Sequence, residues 1–402
     1  MIRCRMTKTE IIDAAFKVWG RNFYRKTSLS QLACELKVSK PALYRHFESK
    51  QALTKAMTER FLDDFSSSIR ADFKKAQTQD ADEGISTIIS SISLFFARDV
   101  YAMIFSLINI YDRNLDSREV VQMLKAKDAD MSVLQQIIEK KYTGDASITR
   151  LMFATLIFFM SHYHKKYKTI ENPFSEEQIK NITSIINKTI NCGLGFTAQE
   201  AAIDFENLEK MVEDTDFEKD VEPFFKAVAE AVAEAGPWDV SMEMVAKKLG
   251  LSKSSLYGHF KNKKDMLRRL FMTEFKNIMD YAKLGISKSN VTAAQLYLGI
   301  FSIAVYLRSR PEIIIAMDWI RTRRLYLGKP DKHFEIFRLF EDVNIEQLLG
   351  ADEEEKQRTS HWILFQLINI LTNPQGEAEI VQNNSTRLLY KFITMGLGGF
   401  IK

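Results

Sequence analysis

The sequence predicts an all-α protein in which one helical unit occurs twice, with an acidic connector between the copies. Three observations carry that prediction. Seven Pro and sixteen Gly are few for 402 residues, and no alternating apolar and polar run bounded by turn residues reads as a strand. Apolar residues recur instead at spacings of three and four. Finally, "VSKPALYRHFESKQAL" at 38–53 returns 213 residues later as "LSKSSLYGHFKNKKDM" at 251–266, and laying 28–53 over 241–266 gives ten identities in 26 positions. A repeat of that length means duplicated domains rather than a solenoid.

Within the first copy, "TKTEIIDAAFKVWGRN" puts Ile11, Ile12, Ala15, Phe16 and Trp19 on one helix face. Ser28 precedes the next apolar series, Leu29, Leu32 and Leu36, and Gln31 stands three residues on, so the pair predicts a capping box. Ser39 is the expected cap of a third helix, with Pro41 in its first turn, where a missing amide hydrogen costs little. A tight joint falls at Lys37 and Val38. The second copy repeats the plan from Phe224 to Met266: Gly236 and Pro237 end its first helix, and Ser241 caps the next with Met244 in place of a polar partner. That helix start is expected to be the weaker one.

Three short helices joined this way form a helix-turn-helix bundle. A long helix follows in each copy, marked by Leu53, Met57, Phe61 and Phe65, then by Met266, Leu270, Phe271, Phe275 and Ile278. The remaining segments, about 85–196 and 291–402, are rich in aromatics such as Phe95, Phe105, Phe159, Tyr297, Tyr306 and Trp362. They read as helical cores that could hold an apolar pocket, although ordinary packing explains any single ring. Thr197 and Glu200 form a further capping box, so the connector is expected to start as a helix.

Charge is distributed unevenly. Residues 1–50 hold eleven Lys or Arg against four acids, and residues 242–272 hold eight against two. Between them, residues 197–222 hold ten acids against two Lys. Two basic patches of this kind are footprints for phosphate, or else solvated helix faces. Cys4, Cys34 and Cys192 are odd in number and far apart, which suits a reducing cytoplasm. The charged opening "MIRCRMTKTE" and a longest apolar run of ten residues, "LMFATLIFFM", argue against a secretory signal and a membrane span.

The quoted stretches, with Ala33 and Ala246 at a small-residue packing position, resemble the second and third helices of the TetR family of bacterial transcriptional regulators. The resemblance covers about 50 residues in each copy. It implies a DNA-binding domain at 1–52, a helical regulatory and dimerisation core at 53–196, an acidic linker at 197–221, a second DNA-binding domain at 222–267 and a second core at 268–402. Such proteins usually carry one module and dimerise, so this chain reads as an intramolecular pseudo-dimer, without excluding a homodimer of whole chains. The matching ends "KTINCGLGF" and "KFITMGLGGF", with the helices before them, look like that family's dimerising bundle.

The implied partner is double-stranded DNA, with a small apolar effector a further possibility and no membrane. In such a motif the third helix enters the major groove while its flanks grip phosphate. The resemblance gives Tyr44, His46 and Lys50, and Tyr257, His259 and Lys263, to the backbone. Ser28 and Ser241 present helix N-terminal amides to phosphate beside them, and Ser39 and Ser252 count among the DNA-binding residues. Base contacts fall to Lys40, Pro41, Ala42 and Arg45 in one copy, and to Lys253, Ser254 and Ser255 in the other. Gly258 stands where the first copy has Arg45, so two unlike half-sites are expected. The expected function is a cytoplasmic repressor released by a small molecule; the alternative is a helical ligand receptor or interaction protein in which one or both reading modules have degenerated.

No enzyme or cofactor is expected, because no nucleophile and base pair or phosphate loop occurs. "SHYHKKY" at 161–167 is a poor metal motif, since side chains two apart on a helix diverge by about 200°. The basic "RTRRLYLGK" at 321–329 reads as a solvated loop.

Overall fold

The computed structural model describes residues 6–22, 28–107, 117–143, 146–213, 223–324, 339–340, 342–343, 353–372 and 379–402. Among them the regular elements are helical, apart from one isolated antiparallel bridge between Tyr142 and Ile401. The chain forms two compact units, Met1–Lys141 with Met160–Asn187, and Tyr142–Phe159 with Lys188–Lys402. The division does not fall at the acidic connector.

In the first unit, α1 (Lys8–Asn22), α2 (Leu29–Glu35) and α3 (Lys40–Tyr44) form a small head. Ile11, Ala15, Trp19, Leu32, Leu43 and Phe47 fill its centre. Next come α4 (Lys50–Thr78), α5 (Ala81–Arg98), α6 (Val100–Ser106), α7 (Ser117–Ala126) and α8 (Ser132–Lys141). α4 packs along α5, while α1 rests on α2, α4 and α6. Aromatic rings make the junction between head and core. Phe16 of α1 meets Phe105 edge-on at 5.0 Å, and Phe61 of α4 reaches both Phe105, at 5.5 Å, and Phe95, at 6.0 Å. Such contacts add about 1 kcal/mol each beyond the area they bury.

α9 (Ala146–Lys166) and α10 (Glu176–Cys192) pass from one unit into the other. In the first unit, the buried His164 sets its Nε2 2.9 Å from the Phe96 carbonyl oxygen and its Nδ1 against the Thr169 hydroxyl. Burial pushes its pKa down to about 4 against the pull of the Phe96 carbonyl, so the ring is neutral. This histidine packs and bonds internally. Among the described residues, no three His, Cys, Asp or Glu side chains gather as metal ligands.

The second unit holds α11 (Phe205–Glu213), α12 (Pro223–Asp239), α13 (Met242–Leu249), α14 (Lys253–His259), α15 (Lys263–Ile286), α16 (Thr292–Arg308) and α17 (Pro311–Arg324). α18 (Glu353–Leu371), α19 (Glu379–Met395) and a 3₁₀ turn (Gly396–Phe400) complete it. Gly236, at φ 76°, breaks α12 just before Pro237, as that dipeptide predicts. α12, α13 and α14 make the second head, and α12 packs on α15 and α17. Residues 325–329 of the basic stretch lie outside the described residues, as do the side chains of Trp319 and Tyr326.

Where the first copy packs Phe61, the second places Glu274. This buried carboxylate accepts a hydrogen bond from the Tyr306 hydroxyl and one from Arg310 Nη2 at 3.0 Å, and Arg310 Nε holds Glu312 at 2.7 Å. Burial pushes the Glu274 pKa up, opposed by Tyr306 and Arg310. Removing either partner would strand a charge out of water, at about 3–5 kcal/mol.

The connector differs from the expectation in one respect. Thr197 and Glu200 do close a capping box, with the Thr197 amide 2.8 Å from Glu200 Oε2 and the Glu200 amide 3.2 Å from Thr197 Oγ1. It caps only a turn, however, and the helix starts at Phe205. Asp204 restarts the chain by accepting the Asn207 amide at 3.2 Å, while Tyr390 pins the turn by donating to the Ala201 carbonyl at 3.2 Å. α11 then docks on α16. Phe205 packs between Tyr297 and Tyr390, at 4.8 and 5.6 Å, and Glu209 takes a bidentate pair from Arg387 at 2.7 Å in each arm. Burial raises the Glu209 pKa, but the bonds from Arg387 and Tyr297 outweigh it and leave the carboxylate ionised.

The second unit also brings the two repeats together. Thr155 of α9 accepts from Trp362 Nε1 at 3.2 Å and from Gln366 Nε2 at 2.6 Å, and Phe158 lies 5.4 Å from Phe365. The end of α10 then crosses the end of α19: the Leu194 amide donates to the Ile393 carbonyl at 2.8 Å and the Phe196 amide to that of Thr394 at 3.0 Å. At the crossing, Gly193 and Gly396 have φ +56° and +57°. A Cβ on Gly193 would sit 2.4 Å from the Ile393 oxygen, and one on Gly396 2.4 Å from the Ile190 oxygen. Neither site has room for a side chain.

Gly193→Ala and Gly396→Ala should therefore each cost about 3 kcal/mol or more, from backbone strain plus overlap. Gly195, at φ +83° with nothing within 4 Å of a built Cβ, should cost only about 1 kcal/mol as Ala. Urea melts of the three variants test the ranking, and an equal cost at all three would contradict it.

Candidate nucleic-acid interface

The two heads are built by local chemistry. Ser28 Oγ accepts the Gln31 amide at 3.2 Å while Gln31 Oε1 accepts the Ser28 amide at 2.7 Å, the reciprocal box that the spacing predicts. Ser39 caps α3 by accepting the Ala42 amide at 3.3 Å, with Pro41 in the first turn. In the second head Ser241 accepts the Met244 amide at 3.2 Å, so that cap is made by the hydroxyl alone. Ser252 caps α14 by accepting the Ser255 amide at 3.1 Å.

The turn between the second and third helices requires one residue in the left-handed region. That residue is Lys37 in the first head, at φ 53°, and Gly250 in the second, at φ 66°. The hydrogen bonds match: the Val38 amide reaches the Ala33 carbonyl at 3.0 Å, and the Leu251 amide reaches that of Ala246 at 2.9 Å. The same turn is thus built twice, once against the preference of an L residue.

These caps and turns set the third helices with one face inward. Leu43 and Leu256 are fully buried, while Tyr44 and Tyr257 are 42% and 48% exposed. Lys40, Pro41 and Arg45 are exposed beside Tyr44, with Ala42 and His46 half-buried; the Lys40 ammonium stands 5.8 Å from the Tyr44 ring. In the second head Ser252, Lys253, Ser254, Ser255, Tyr257 and His259 are all exposed. The Ser252 hydroxyl also lies 2.9 Å from that of Ser254 and 2.8 Å from that of Ser255. Lys50 and Lys263 open the long helices α4 and α15 and are half-buried, and Lys50 stands 5.4 Å from the Trp19 ring. Burial pushes the Lys50 pKa down.

In each head the exposed tyrosine stands among exposed polar residues of the third helix, and in the first head Tyr44, Arg45 and His46 line one groove. The surface offers hydroxyl, imidazole and ammonium donors. Chemically it can hold phosphate oxygens and meet base edges.

The heads differ at their flanks. His259 packs its ring on Phe224 at 4.4 Å, and Asp265 binds both Arg268, at 3.2 Å, and Arg269, at 3.4 Å. Lys248 is held by Glu234 at 2.6 Å. Sequence reasoning passed over these pairs, as it passed over Lys8 and Lys55 beside the first head. The available signal was Asp265 standing where the first copy has Ala52.

An outward third helix, capped at its start and set by a tight turn, defines a helix-turn-helix DNA-binding module, present here in two copies. The sequence model described as "Bacterial regulatory proteins, tetR family" matches residues 11–57 and again 225–270. The chain thus carries two segments, in tandem, that match the tetR-family helix-turn-helix module.

Among curated proteins, the HTH-type transcriptional repressor ComR of Escherichia coli (strain K12) is 26% identical over 137 residues. That match takes in 33% of this chain and 65% of that repressor, so the chain spans under two thirds of its length. Among solved structures, the TetR family transcriptional regulator PfmR from Thermus thermophilus matches with a TM-score of 0.32 and 18% identity, over 44% of this chain and 95% of that one. Among the described residues, no single helix is long and apolar enough to cross a membrane.

Lys37→Gly should stabilise the first head by about 1 kcal/mol, because Lys37 is exposed enough that only its backbone strain is relieved. Gly250→Ala should cost the second head a similar amount, since a built Cβ there meets nothing within 4 Å. Hydrogen exchange of the α2 and α13 amides reads the two heads separately. A loss of protection in Lys37→Gly would contradict the assignment of strain.

Proposed function

We propose that this chain is a sequence-specific DNA-binding repressor, released by a small-molecule effector, which reads one operator with two unlike half-sites. It acts in the cytoplasm as a single-chain pseudo-dimer and catalyses no reaction. The observation that supports this most directly is the outward Lys and Tyr pair on both third helices, Lys40 with Tyr44 and Lys253 with Tyr257, each helix held by a fully buried leucine.

Each third helix enters a major groove. Tyr44, His46 and Lys50, like Tyr257, His259 and Lys263, donate to phosphate, and the amides at the Ser-capped helix starts add to them. Lys40 and Arg45 reach guanine edges, while Pro41 and Ala42 meet a thymine methyl. Lys253, Ser254 and Ser255 do the corresponding work on the other half-site with shorter donors. The effector acts on the helical cores, whose movement through α4 and α15 changes the spacing of the reading helices. That spacing must stay near a helical repeat of ~34 Å or a multiple of it.

One observation favours a second reading, a receptor whose second head has lost DNA. Gly258 supplies no donor where Arg45 does, and Lys248, Arg268 and Arg269 are already held in ion pairs.

Selection of bound duplexes from a randomised pool, at near-physiological salt, decides between them. The repressor reading expects two different half-motifs at fixed spacing. Arg45→Ala should then relax one base position in one half-motif, at about 1–3 kcal/mol, and leave the other half-motif unchanged. A single half-motif that Arg45→Ala weakens would favour the second reading, and no enrichment would end the first.

A further inference from the structure

Beside the turn from α3 to α4, the first head carries an open groove of about 520 Å³ that continues the surface around Tyr44. Lys8 of α1, Arg45 and His46 of the turn, and Lys55 of α4 line it, together with Glu48 and Glu59. Among the described residues Lys8, Arg45 and Lys55 form no ion pair, and the Lys8 ammonium lies 5.8 Å from the centre of the Phe47 ring. The groove therefore offers three exposed cations, with a histidine between them, against two carboxylates, Glu48 and Glu59.

In the second head the side chains at the same place engage partners of their own. His259, equivalent to His46, packs on Phe224 at 4.4 Å. Arg268, equivalent to Lys55, is drawn to Asp265 at 3.2 Å, and Arg269 joins it at 3.4 Å while lying 5.7 Å from the Phe260 ring. Asp265 is itself buried and fixed from three sides, since its Oδ2 also accepts the Lys261 amide at 3.2 Å. The first copy has Ala52 at that position, and neither Glu48 nor Glu59 of its groove is ion-paired to Lys8 or Lys55 among the described residues.

We infer that the groove of the first head grips DNA phosphate through Lys8 and Lys55, extending that head's contact beyond its recognition helix, and that Asp265 withholds the matching contact from the second head. The inference rests on the DNA-reading function proposed above. A cation already satisfied by a carboxylate releases no counterions when DNA arrives, because it must first give up that partner. Lys8 and Lys55 have no such partner to surrender. The two heads then bind with unequal strength and unequal salt dependence, and the first head anchors the chain.

The test is the slope of log affinity against log salt, measured on the most enriched duplex from the selected pool. Each phosphate contact contributes about 0.9 to that slope. Lys55→Ala and Lys8→Ala should each lower its magnitude by about that much, whereas the double variant Arg268→Ala with Arg269→Ala should leave it unchanged. Ala52→Asp grafts the carboxylate into the first head, near a helix start where an acid is favourable. It should reproduce the loss seen in Lys55→Ala while keeping the lysine and the fold, checked by circular dichroism. Asp265→Ala should raise the slope. A full slope in Lys55→Ala, or an equal loss in the double arginine variant, overturns the inference. Lys40→Ala with Tyr44→Ala separates the two levels: if that variant binds the selected duplex as well as the parent chain, the DNA-reading function itself fails for the first head.

Discussion

The backbone crossing of Gly193 and Gly396 is the constraint on which the pairing of the two repeats depends. Each glycine is left-handed, and a side chain on either would overlap a carbonyl oxygen at the end of the opposite helix. That reciprocity belongs to an isologous contact, in which a surface meets its own counterpart. Here both surfaces come from one chain. The close approach brings the Leu194 and Phe196 amides within reach of the Ile393 and Thr394 carbonyls. Farther along, Thr155 takes the Trp362 indole and the Gln366 amide into the apolar interior of the bundle. A contact of this kind between separate chains weakens on dilution, but within one chain it does not.

What could be read from the sequence was local. The Ser28 and Gln31 box, the break at Gly236 and the inward leucines of the third helices depend on residues within a few positions of each other, and the duplication shows as two such local patterns alike. The glycine pair was visible too, in the matching chain ends, although its reason was not. What escaped notice involves partners far apart. Glu274 stood at an apolar position of a long helix, yet nothing marked Arg310, 36 residues on, as its partner. The connector was harder still. Its strong acidity reads as a solvated tether, but Glu209 is buried against Arg387, 178 residues away, and Phe205 enters an aromatic site. Thr197 and Glu200 were recognised as a cap; the competing cap at Asp204 decided where the helix starts.

Joining the copies also explains why they differ. In a symmetric dimer every substitution appears twice, so a change that suits one half must be tolerated in the other. A tandem chain removes that requirement. At the junction of head and core, the first copy uses Phe16, Phe61 and Phe105, whereas the second places Glu274, Tyr306 and Arg310. Ring packing is short-ranged and depends on fit; a buried carboxylate held by arginine and phenol depends on charge. The two junctions therefore answer different disturbances, the first a change of volume and the second a change of charge or hydration.

The same freedom bears on the unequal heads. Once the first head holds DNA, the second meets its half-site as an intramolecular event, at an effective concentration that short connections raise to the millimolar range. A head of only millimolar intrinsic affinity would then be engaged about half the time. Under the proposed function, the second head can lose the donor that Arg45 supplies and keep its arginines bound to Asp265 without being lost from the complex. Its remaining task is selectivity: it adds little grip, but it penalises sites where the second half-motif is absent. A strong second head would work against this, because a chain with two equal anchors binds single half-sites from either end. Weakness in one head, in a chain that cannot come apart, favours the complete operator over its fragments.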